Sequence, residues 1–517
     1  MIFSSLKMAL ATFSSRILGL VRELSMAAIF GASGYTDAFL VAYRIPNLLR
    51  DLFAEGAFSS AFVPVFSEEK IRGENYSRSL LWSLFLVLLL ITGIITGLTI
   101  IFAPELTSMF APSFKQDMEK FNLTVLLVRI MSPFLTMVSL AALFMGALNS
   151  LKVFFVPSFA PACFNIIMIL SIYFLPSYFY PYGGDGIVAL AVGVVGGGII
   201  QMLVQFPYLL KKKFGPKGPI NLKSPAVKKV LKRVSIGLIG FAATQINLLI
   251  TTILATGTIV GAVSWLSYAF RLFQFPVGIF SVSLAGSNLV HFSEAIKNNK
   301  QQQAIDSLKS TYDLSFIIIL PSLALLYAFS GQVVHLIFER GAFDPNDSAM
   351  TAMALRYYLW GLPFYGLYKI FGPIFFALDK PKTPVIISIF SIFLNIIFCI
   401  TLTPKYGFKI LALGTSLSMM VNCLLQAIFI KRELKLSLSF FFSFRIFKML
   451  LSTGLTYYLV QKLEAQYFSY ADSFVVKASV IALLGALGYS VYGIVLVIFG
   501  ESKSLKNTFN QMKKAKK

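Results

Sequence analysis

The stretch RIPNLLRDLFAEGAFSSAFVP, residues 44–64, carries Arg44, Arg50, Asp51 and Glu55 in a chain whose mean hydropathy is +0.78. Four ionisable side chains are out of place in such surroundings and need a physical reason. The 517 residues are 57% hydrophobic and 13% charged, against about 25% charged in an ordinary soluble domain. Working outward from residue 44 in both directions, apolar runs of about 20 residues follow one another with short polar breaks, each long enough for a ~30 Å hydrocarbon core. The expected fold is an all-α polytopic membrane protein with no room for a sizeable soluble domain.

Reading apolar runs against polar breaks gives about fourteen transmembrane spans. The first seven are expected near residues 5–30, 37–66, 79–103, 122–148, 155–178, 186–210 and 234–256. The second seven are expected near 262–290, 311–331, 350–378, 384–403, 408–431, 446–462 and 475–499. The N-terminal segment lacks a small-residue cleavage site and its amphipathic pattern runs past Arg22, so it reads as a retained first helix. With that end in the cytoplasm, about 30 of the 45 Lys and Arg fall on the cytoplasmic side, including nine in 211–233 and six after Gly500. This asymmetry obeys the positive-inside rule and puts both termini in the cytoplasm. Placed this way, the net charge of +23 is a membrane topology signal and implies no nucleic-acid partner.

Internal similarity divides the chain. AYRI at 42–45 recurs as AFRL at 269–272, FSE at 66–68 recurs at 292–294, and AL followed by NII occurs at 147–167 and 377–397. The nearly constant offset argues for two parallel six-helix repeats of the kind alternating-access transporters use. The expected organisation is an N-terminal lobe at 1–210, a basic Gly/Pro-rich cytoplasmic linker at 211–233 and a C-terminal lobe at 234–431. Two extra helices at 446–500 and a basic cytoplasmic tail at 501–517 follow.

Charges inside a bilayer cost about 2.5 to 3.5 kcal/mol each on insertion scales, so they face a cavity or a partner. Here they gather in the first, second and eighth spans as Arg16, Arg22, Glu23, Asp37, Arg44, Arg50, Asp51, Glu55 and Arg271. At 100° per residue Arg16 and Glu23 share a face, and so do Arg44, Asp51 and Glu55, whereas Arg22 and Arg50 lie about 120° away. Pro46 removes a helix hydrogen bond, and Gly56, Ser59 and Ser60 permit bending, as gated helices need. Arginine outnumbers acid, so the implied cargo is anionic. The guanidinium fork suits phosphate or pyrophosphate, while Asp37, Asn47 and Glu55 are placed to accept from sugars. The plainer alternative is that Arg16 with Glu23 and Arg44 with Asp51 are helix-orienting pairs, with Arg50, Asp51 and Glu55 snorkelling at the interface. For Arg129, Arg356, Lys369 and Lys477 that structural reading is preferred.

Other chemistry is sparse. Cys163, Cys399 and Cys423 sit in apolar runs and read as core fillers. HLIFE at 335–339 has His and Glu four apart but no third ligand. Glu339, Asp344 and Asp347 read as a solvated loop with capping residues. With two histidines and neither a nucleophile–base pair nor a phosphate-cradling loop, catalysis is not expected, and neither is a metal or cofactor.

The strings SRILGLVREL (15–24), TDAFLVAYRIPNLLRDLFAEGAFSSAFVPVF (36–66), SYAFRLFQFPVGIFSVSL (267–284) and LIFERGAFDPNDSAMTAMALRYYLWGLPFYGLYKIFGPIFFALDKPKTP (336–384) resemble the MurJ (MviN) lipid II flippases of bacteria. The resemblance implies fourteen spans in the multidrug/oligosaccharidyl-lipid/polysaccharide exporter superfamily, with a central cationic cavity and a groove for the lipid tail formed by the last two spans. It implies translocation of undecaprenyl-pyrophosphate-linked disaccharide-peptide, lipid II, from the inner to the outer leaflet of the bacterial cytoplasmic membrane for cell-wall synthesis. Family residues needed for function match Arg16, Arg22, Asp37, Arg50, Glu55 and Arg271. A monomer is expected, with membrane lipids around it and cell-wall synthesis proteins as candidate associates. Phe270 stands where an acid often precedes the basic residue, and the spans at 234–256, 384–403 and 408–431 hold no Asp or Glu, so coupling to membrane potential, H+ or Na+ stays open. The competing expectations are export of another polyprenyl-linked glycan, a multidrug cation antiporter, and an enzyme or scaffold of envelope synthesis.

Overall fold

The computed structural model describes residues 2–54, 57–182, 186–217, 219–278, 282–441, 443–467 and 473–502. Among these residues all regular structure is helical. The chain forms two compact units, Met1–Ser264 with Arg340–Phe343, and Trp265–Glu339 with Asp344–Lys517.

The first unit opens with α1 (Ile2–Phe30), α2 (Gly34–Ala54), α3 (Ala57–Arg72) and α4 (Glu74–Ile101). It continues through α5 (Ala103–Phe110), α6 (Met118–Met131), α7 (Phe134–Ser150), α8 (Phe155–Phe174) and the single turn α9 (Pro176–Phe179). It closes with α10 (Val188–Leu203), α11 (Phe206–Lys211) and α12 (Pro225–Thr256). The stretch quoted at the outset lies on α2 as far as Ala54 and on α3 from Ala57. Glu55 and Gly56 lie outside the described residues, and with them the part of the expected Arg44, Asp51 and Glu55 face that Glu55 supplies.

In this unit α1 lies along α8 and α8 along α10, while α3 sits among α4, α7 and α12. Glycine makes the α8–α10 seam tight. A Cβ at Gly197 would fall 2.6 Å from the Phe164 ring, and one at Gly193 would fall 2.7 Å from Ser171 Cβ. Small residues at a membrane helix interface let backbones approach and gain dispersion contacts, since lipid supplies no hydrophobic drive between helices. The core joins Phe58, Phe62 and Phe66 of α3 to Leu80, Leu84, Leu140 and Phe144, with Phe214, Val227 and Val230 closing one end. The long α12, expected to open the second lobe, packs within this first unit against α3, and the boundary between units falls at Ser264.

The second unit holds α13 (Ala262–Pro276, its first three residues counted with the first unit), α14 (Val282–Lys297), α15 (Gln301–Ala328) and α16 (Ser330–Phe338). Then come α17 (Pro345–Leu359), α18 (Leu362–Ala377), α19 (Lys382–Tyr406), α20 (Lys409–Leu434), α21 (Phe444–Tyr467) and α22 (Phe474–Ile498). Its core gathers Phe292, Leu308, Tyr312, Phe371, Phe375, Cys423 and Phe441. The extra helices α21 and α22 dock on α15. Tyr489 and Ser322 hydroxyls meet at 2.6 Å, and Gly488 lets Leu325 come close. At one end, Asp313 of α15 takes Lys309 and Arg445, and Glu501 takes Arg445 at 2.9 Å.

Each expected span coincides with one helix or two consecutive ones. Among the described residues eight are long and apolar enough to cross a membrane by length and composition: Glu74–Ile101, Met118–Ser150, Phe155–Phe174, Val188–Lys211, Gln301–Ala328, Lys382–Tyr406, Lys409–Leu434 and Phe474–Ile498. Leu90, Ile94, Leu98 and Ile101 form an exposed apolar ladder on α4, as Ile386, Phe390, Phe393 and Ile397 do on α19. In water such stripes are aggregation liabilities; against acyl chains they are the solvated surface. Hydroxyls follow the same logic. Thr92, Thr99, Thr124, Ser132 and Ser139 each donate to the carbonyl four residues back, which leaves no donor to be solvated by lipid.

Candidate functional site

The best-defined charged seat lies where α1 crosses α8. Arg22 is half-buried, and its guanidinium donates to Asn165 Oδ1 at 3.1 Å and to Glu23 Oε1 at 3.0 Å. The same group stands 5.9 Å over the Phe164 ring. Asn165 is fixed in turn, because its Nδ2 donates to the Ser15 carbonyl at 3.1 Å. Gly19 provides the approach, with a Cβ position 3.5 Å from Asn165 Nδ2. The fork is thus aimed by a neutral amide, a carboxylate and an aromatic face. The carboxylate neutralises only one charge on a helix that also presents Arg16, which is exposed. Such an arrangement holds a guanidinium ready for an anion without burying it bare.

Asp37 has a different task from accepting sugar hydroxyls. It is buried, and both carboxylate oxygens are taken: Oδ2 by Gly261 N at 2.7 Å, and Oδ1 by Ser264 N at 2.9 Å and Ser264 Oγ at 2.7 Å. Asp37 thereby caps the turn that opens α13, where orphan N–H groups accept a carboxylate best. Lys120 of α6, also buried, provides the nearby positive charge and sits 4.0 Å over the Phe114 ring. Along α2, Arg44 is half-buried, and Asn47 one turn on has a buried Oδ1 with no hydrogen-bond partner among the described residues. An orphan acceptor beside Pro46 fits a ligand hydroxyl or amide. Arg50 lies on α2, while Glu55 falls outside the described residues. Arg271 lies on α13 of the second unit with an exposed side chain.

Asn165 and Lys120 were absent from the sequence-based site. Asn165 had a signal, since it begins the NII repeat whose second copy starts at Asn395. Asn395 is also buried, with Cys399 Sγ 3.4 Å from its Oδ1. The polar seam between α19 and α20 continues through Ser391 with Ser418 and through Ser388 with Asn422, and contains no carboxylate. Among the described residues no group of three His, Cys, Asp or Glu is placed to hold a metal. His335 and Glu339 pair with each other at 2.9 Å, and Lys477 reaches His335 Nε2 at 3.3 Å.

The loop acids also part company with the solvated reading. Asp344 does cap α17, accepting from Asp347 N at 2.7 Å, but Asp347 is buried and accepts from Trp265 Nε1 at 2.8 Å. The preceding segment, Arg340–Phe343, belongs to the first unit, where Ala342 N donates to Ala28 O at 2.8 Å. There Gly31 and Gly341, both with positive φ, face each other's neighbouring carbonyls so closely that neither position admits a side chain. Of the isolated charges, Arg129 donates to the Ile100 carbonyl, Arg356 donates to Ser330 Oγ, and Lys369 rests on the Tyr365 and Tyr368 rings.

Two solved structures define the class. One described as "Lipid II flippase MurJ, inward closed conformation" matches with a TM-score of 0.79 at 28% identity, covering 94% of this chain and 97% of its own. An inward-facing multidrug resistance MATE family transporter of the MOP superfamily matches with a TM-score of 0.66 at 14% identity, covering 81% and 94%. The fold is the one these two transporters share. Within it, the family described as lipid II flippase MurJ matches residues 26–485. A relative from Buchnera aphidicola subsp. Baizongia pistaciae, named probable lipid II flippase MurJ, is 36% identical over 422 residues, 81% of each chain. The chain belongs to the lipid II flippase MurJ family, as the motifs of the first, second and eighth spans imply.

Proposed function

We infer that this protein translocates lipid II from the inner to the outer leaflet of the cytoplasmic membrane, supplying cell-wall synthesis. The observation that carries the reading is the extent of the family match, residues 26–485, which reaches through both units and takes in Asp37, Arg44, Arg50, Asp51, Glu55 and Arg271, while Arg16, Arg22 and Glu23 lie just before it. The cargo is amphiphilic, with a pyrophosphate joining a polyprenyl tail to a sugar–peptide head. Arg22, held by Asn165 and Glu23, suits the pyrophosphate, because a forked and aimed guanidinium loses little freedom on binding. Arg16, Arg44, Arg50 and Arg271 add positive potential along the path, Asn47 accepts from the head group, and Asp37 positions α13 rather than touching cargo.

In this mechanism the carrier works by alternating access, and the extra helices α21 and α22 guide the tail. Movement, not bond chemistry, is the work done, so the protein acts as a monomeric carrier and not as an enzyme. Both termini and the 211–233 segment face the cytoplasm. Membrane potential drives the cycle: a net-positive site moving with a dianionic cargo changes the charge that crosses the field, worth about 2.3 kcal/mol per charge per 100 mV. The carboxylate-free seam between α19 and α20 supplies no charge for a coupling cation.

The test is reconstitution of the purified chain in vesicles holding fluorescent lipid II, with the outward-exposed fraction read by a head-group-modifying enzyme. The wild type should equilibrate the leaflets, and Arg22→Ala should not. Equal rates for the two, at equal protein incorporation, would sink the mechanism. No movement of lipid II by the wild type under an imposed potential would sink the function.

A further inference from the structure

The segment 211–224, expected to be a linker, is a packed strap. Leaving α11, it turns at Lys213, whose φ is positive, and Phe214 N donates back to Leu209 O at 2.9 Å. Phe214 then inserts into the core, 1% exposed. Three hydrogen bonds tie the rest to one face of α4: Trp82 Nε1 to Phe214 O at 3.1 Å, Ser79 Oγ to Pro219 O at 2.6 Å, and Asn221 N to Ser83 Oγ at 2.9 Å. Ser224 finally caps α12, accepting from Val227 N at 3.2 Å. A tether that only joined two lobes would need none of this.

Fixing the strap fixes what it displays. Lys211, Lys212, Lys213, Lys217 and Lys223 are all exposed, and among the described residues none is ion-paired. No acid occurs from Phe206 to Ser224. The nearest acids of α3 are already engaged, Glu68 by Lys229 and Glu69 by Arg72 at 2.9 Å. The hydrogen bond from Lys229 is the main reason the Glu68 carboxyl titrates below its ordinary value. Between the lysines stand two apolar side chains turned outward, Ile220 at 52% and Leu222 at 42% exposure. The height is set as well. Ser79 to Ser83 follow the polar first turn ENYSR of α4 and begin its apolar run, so the strap lies where head groups meet acyl chains.

Exposed lysines without ion-pair partners among the described residues, flanking two exposed aliphatic side chains at that depth, make an interfacial surface. We propose that the 211–224 strap is a docking surface for anionic phospholipid head groups of the cytoplasmic leaflet, with the ammonium groups on phosphates and Ile220 and Leu222 in the upper acyl region. The strap holds the start of α4 and the start of α12 to that leaflet. The proposal rests on the membrane orientation given above, but its test involves no lipid-linked cargo, so a failure here and a failure of lipid II transport are separately visible.

The full chain is reconstituted in phosphatidylcholine with trace spin-labelled phosphatidylglycerol or spin-labelled phosphatidylcholine, and the protein-immobilised fraction of each is measured. The wild type should prefer phosphatidylglycerol, and the preference should fade as salt rises, because exposed charges are screened within about 8 Å at physiological ionic strength. The variant carrying Lys→Gln at the five strap positions should lose at least about threefold of the preference. The same number of Lys→Gln changes at Lys405, Lys409, Lys431, Lys435 and Lys462 should leave it near the wild-type value. If the strap variant retained the preference, or the wild-type preference survived high salt, the proposal would be overturned. A wild type with no preference would also overturn it, and an acidic protein would become the occupant to pursue. The salt titration needs no variant and decides the matter even if the fivefold change fails to fold.

Discussion

Replacing Asn165 by Leu removes both hydrogen bonds that Asn165 makes while keeping the volume of the α1–α8 seam nearly constant. Arg22 loses its 3.1 Å acceptor and the Ser15 carbonyl loses its donor, whereas the Glu23 contact stays. A hydrogen bond to a charged group is worth about 1.5–3 kcal/mol in soluble proteins. Polar contacts between membrane helices average nearer 0.6 and reach about 1.7 kcal/mol, because the alternative states find partners too. A coupling of about 1–2 kcal/mol follows, which is about a 5- to 30-fold fall in lipid II flipping. The assay is a double-mutant cycle on vesicle flipping rates with Asn165→Leu, Arg22→Ala and the pair. If Asn165 acts through Arg22, the pair is no slower than Arg22→Ala alone. Fully additive losses, or wild-type flipping by a properly folded Asn165→Leu protein, would refute the reasoning.

Three further outcomes follow from the packing. Gly197→Val should lower the thermal midpoint in detergent by the equivalent of about 1–3 kcal/mol, since its Cβ would meet Phe164 at 2.6 Å; an unchanged midpoint would mean the α8–α10 seam can yield. Arg445→Ala leaves Asp313 with Lys309 alone and strips Glu501 of its 2.9 Å partner, and should cost about 1–3 kcal/mol with protease sensitivity appearing in α21 and α22 first. Asp37→Ala leaves Gly261 N and Ser264 N without acceptors, so hydrogen exchange at 261–264 should speed up while that of α8 stays unchanged.

The membrane fold was legible because lipid leaves only two backbone solutions and the apolar runs chose the helical one. The seam partners were not, because helical phase locates a residue on its own helix and is silent about the neighbour across from it. Thus Arg22 was identified as polar and useful, but Asn165, 143 residues away in sequence, was seen only as part of a repeat. The alternative pairing of Arg16 with Glu23 follows phase, whereas Arg22 takes Glu23 from the adjacent position, a reach that a long side chain has and a helical wheel ignores. The 211–233 segment misled for a related reason. Its Gly and Pro content reads as a linker, and only Phe214, an aromatic in the middle of lysines, signalled that the strap is anchored. Asp347 was read with its loop, and its burial against Trp265 depends on a contact 82 residues distant.

The central claim is that Arg22 carries the pyrophosphate of lipid II across the membrane. Leaflet-resolved measurement of lipid II in bacteria depleted of their own flippase and rescued by this chain tests it most directly. The account predicts outward lipid II and growth with the wild-type chain, and inward accumulation with Arg22→Ala present in the membrane at equal amount. Normal outward lipid II in the Arg22→Ala cells would contradict it.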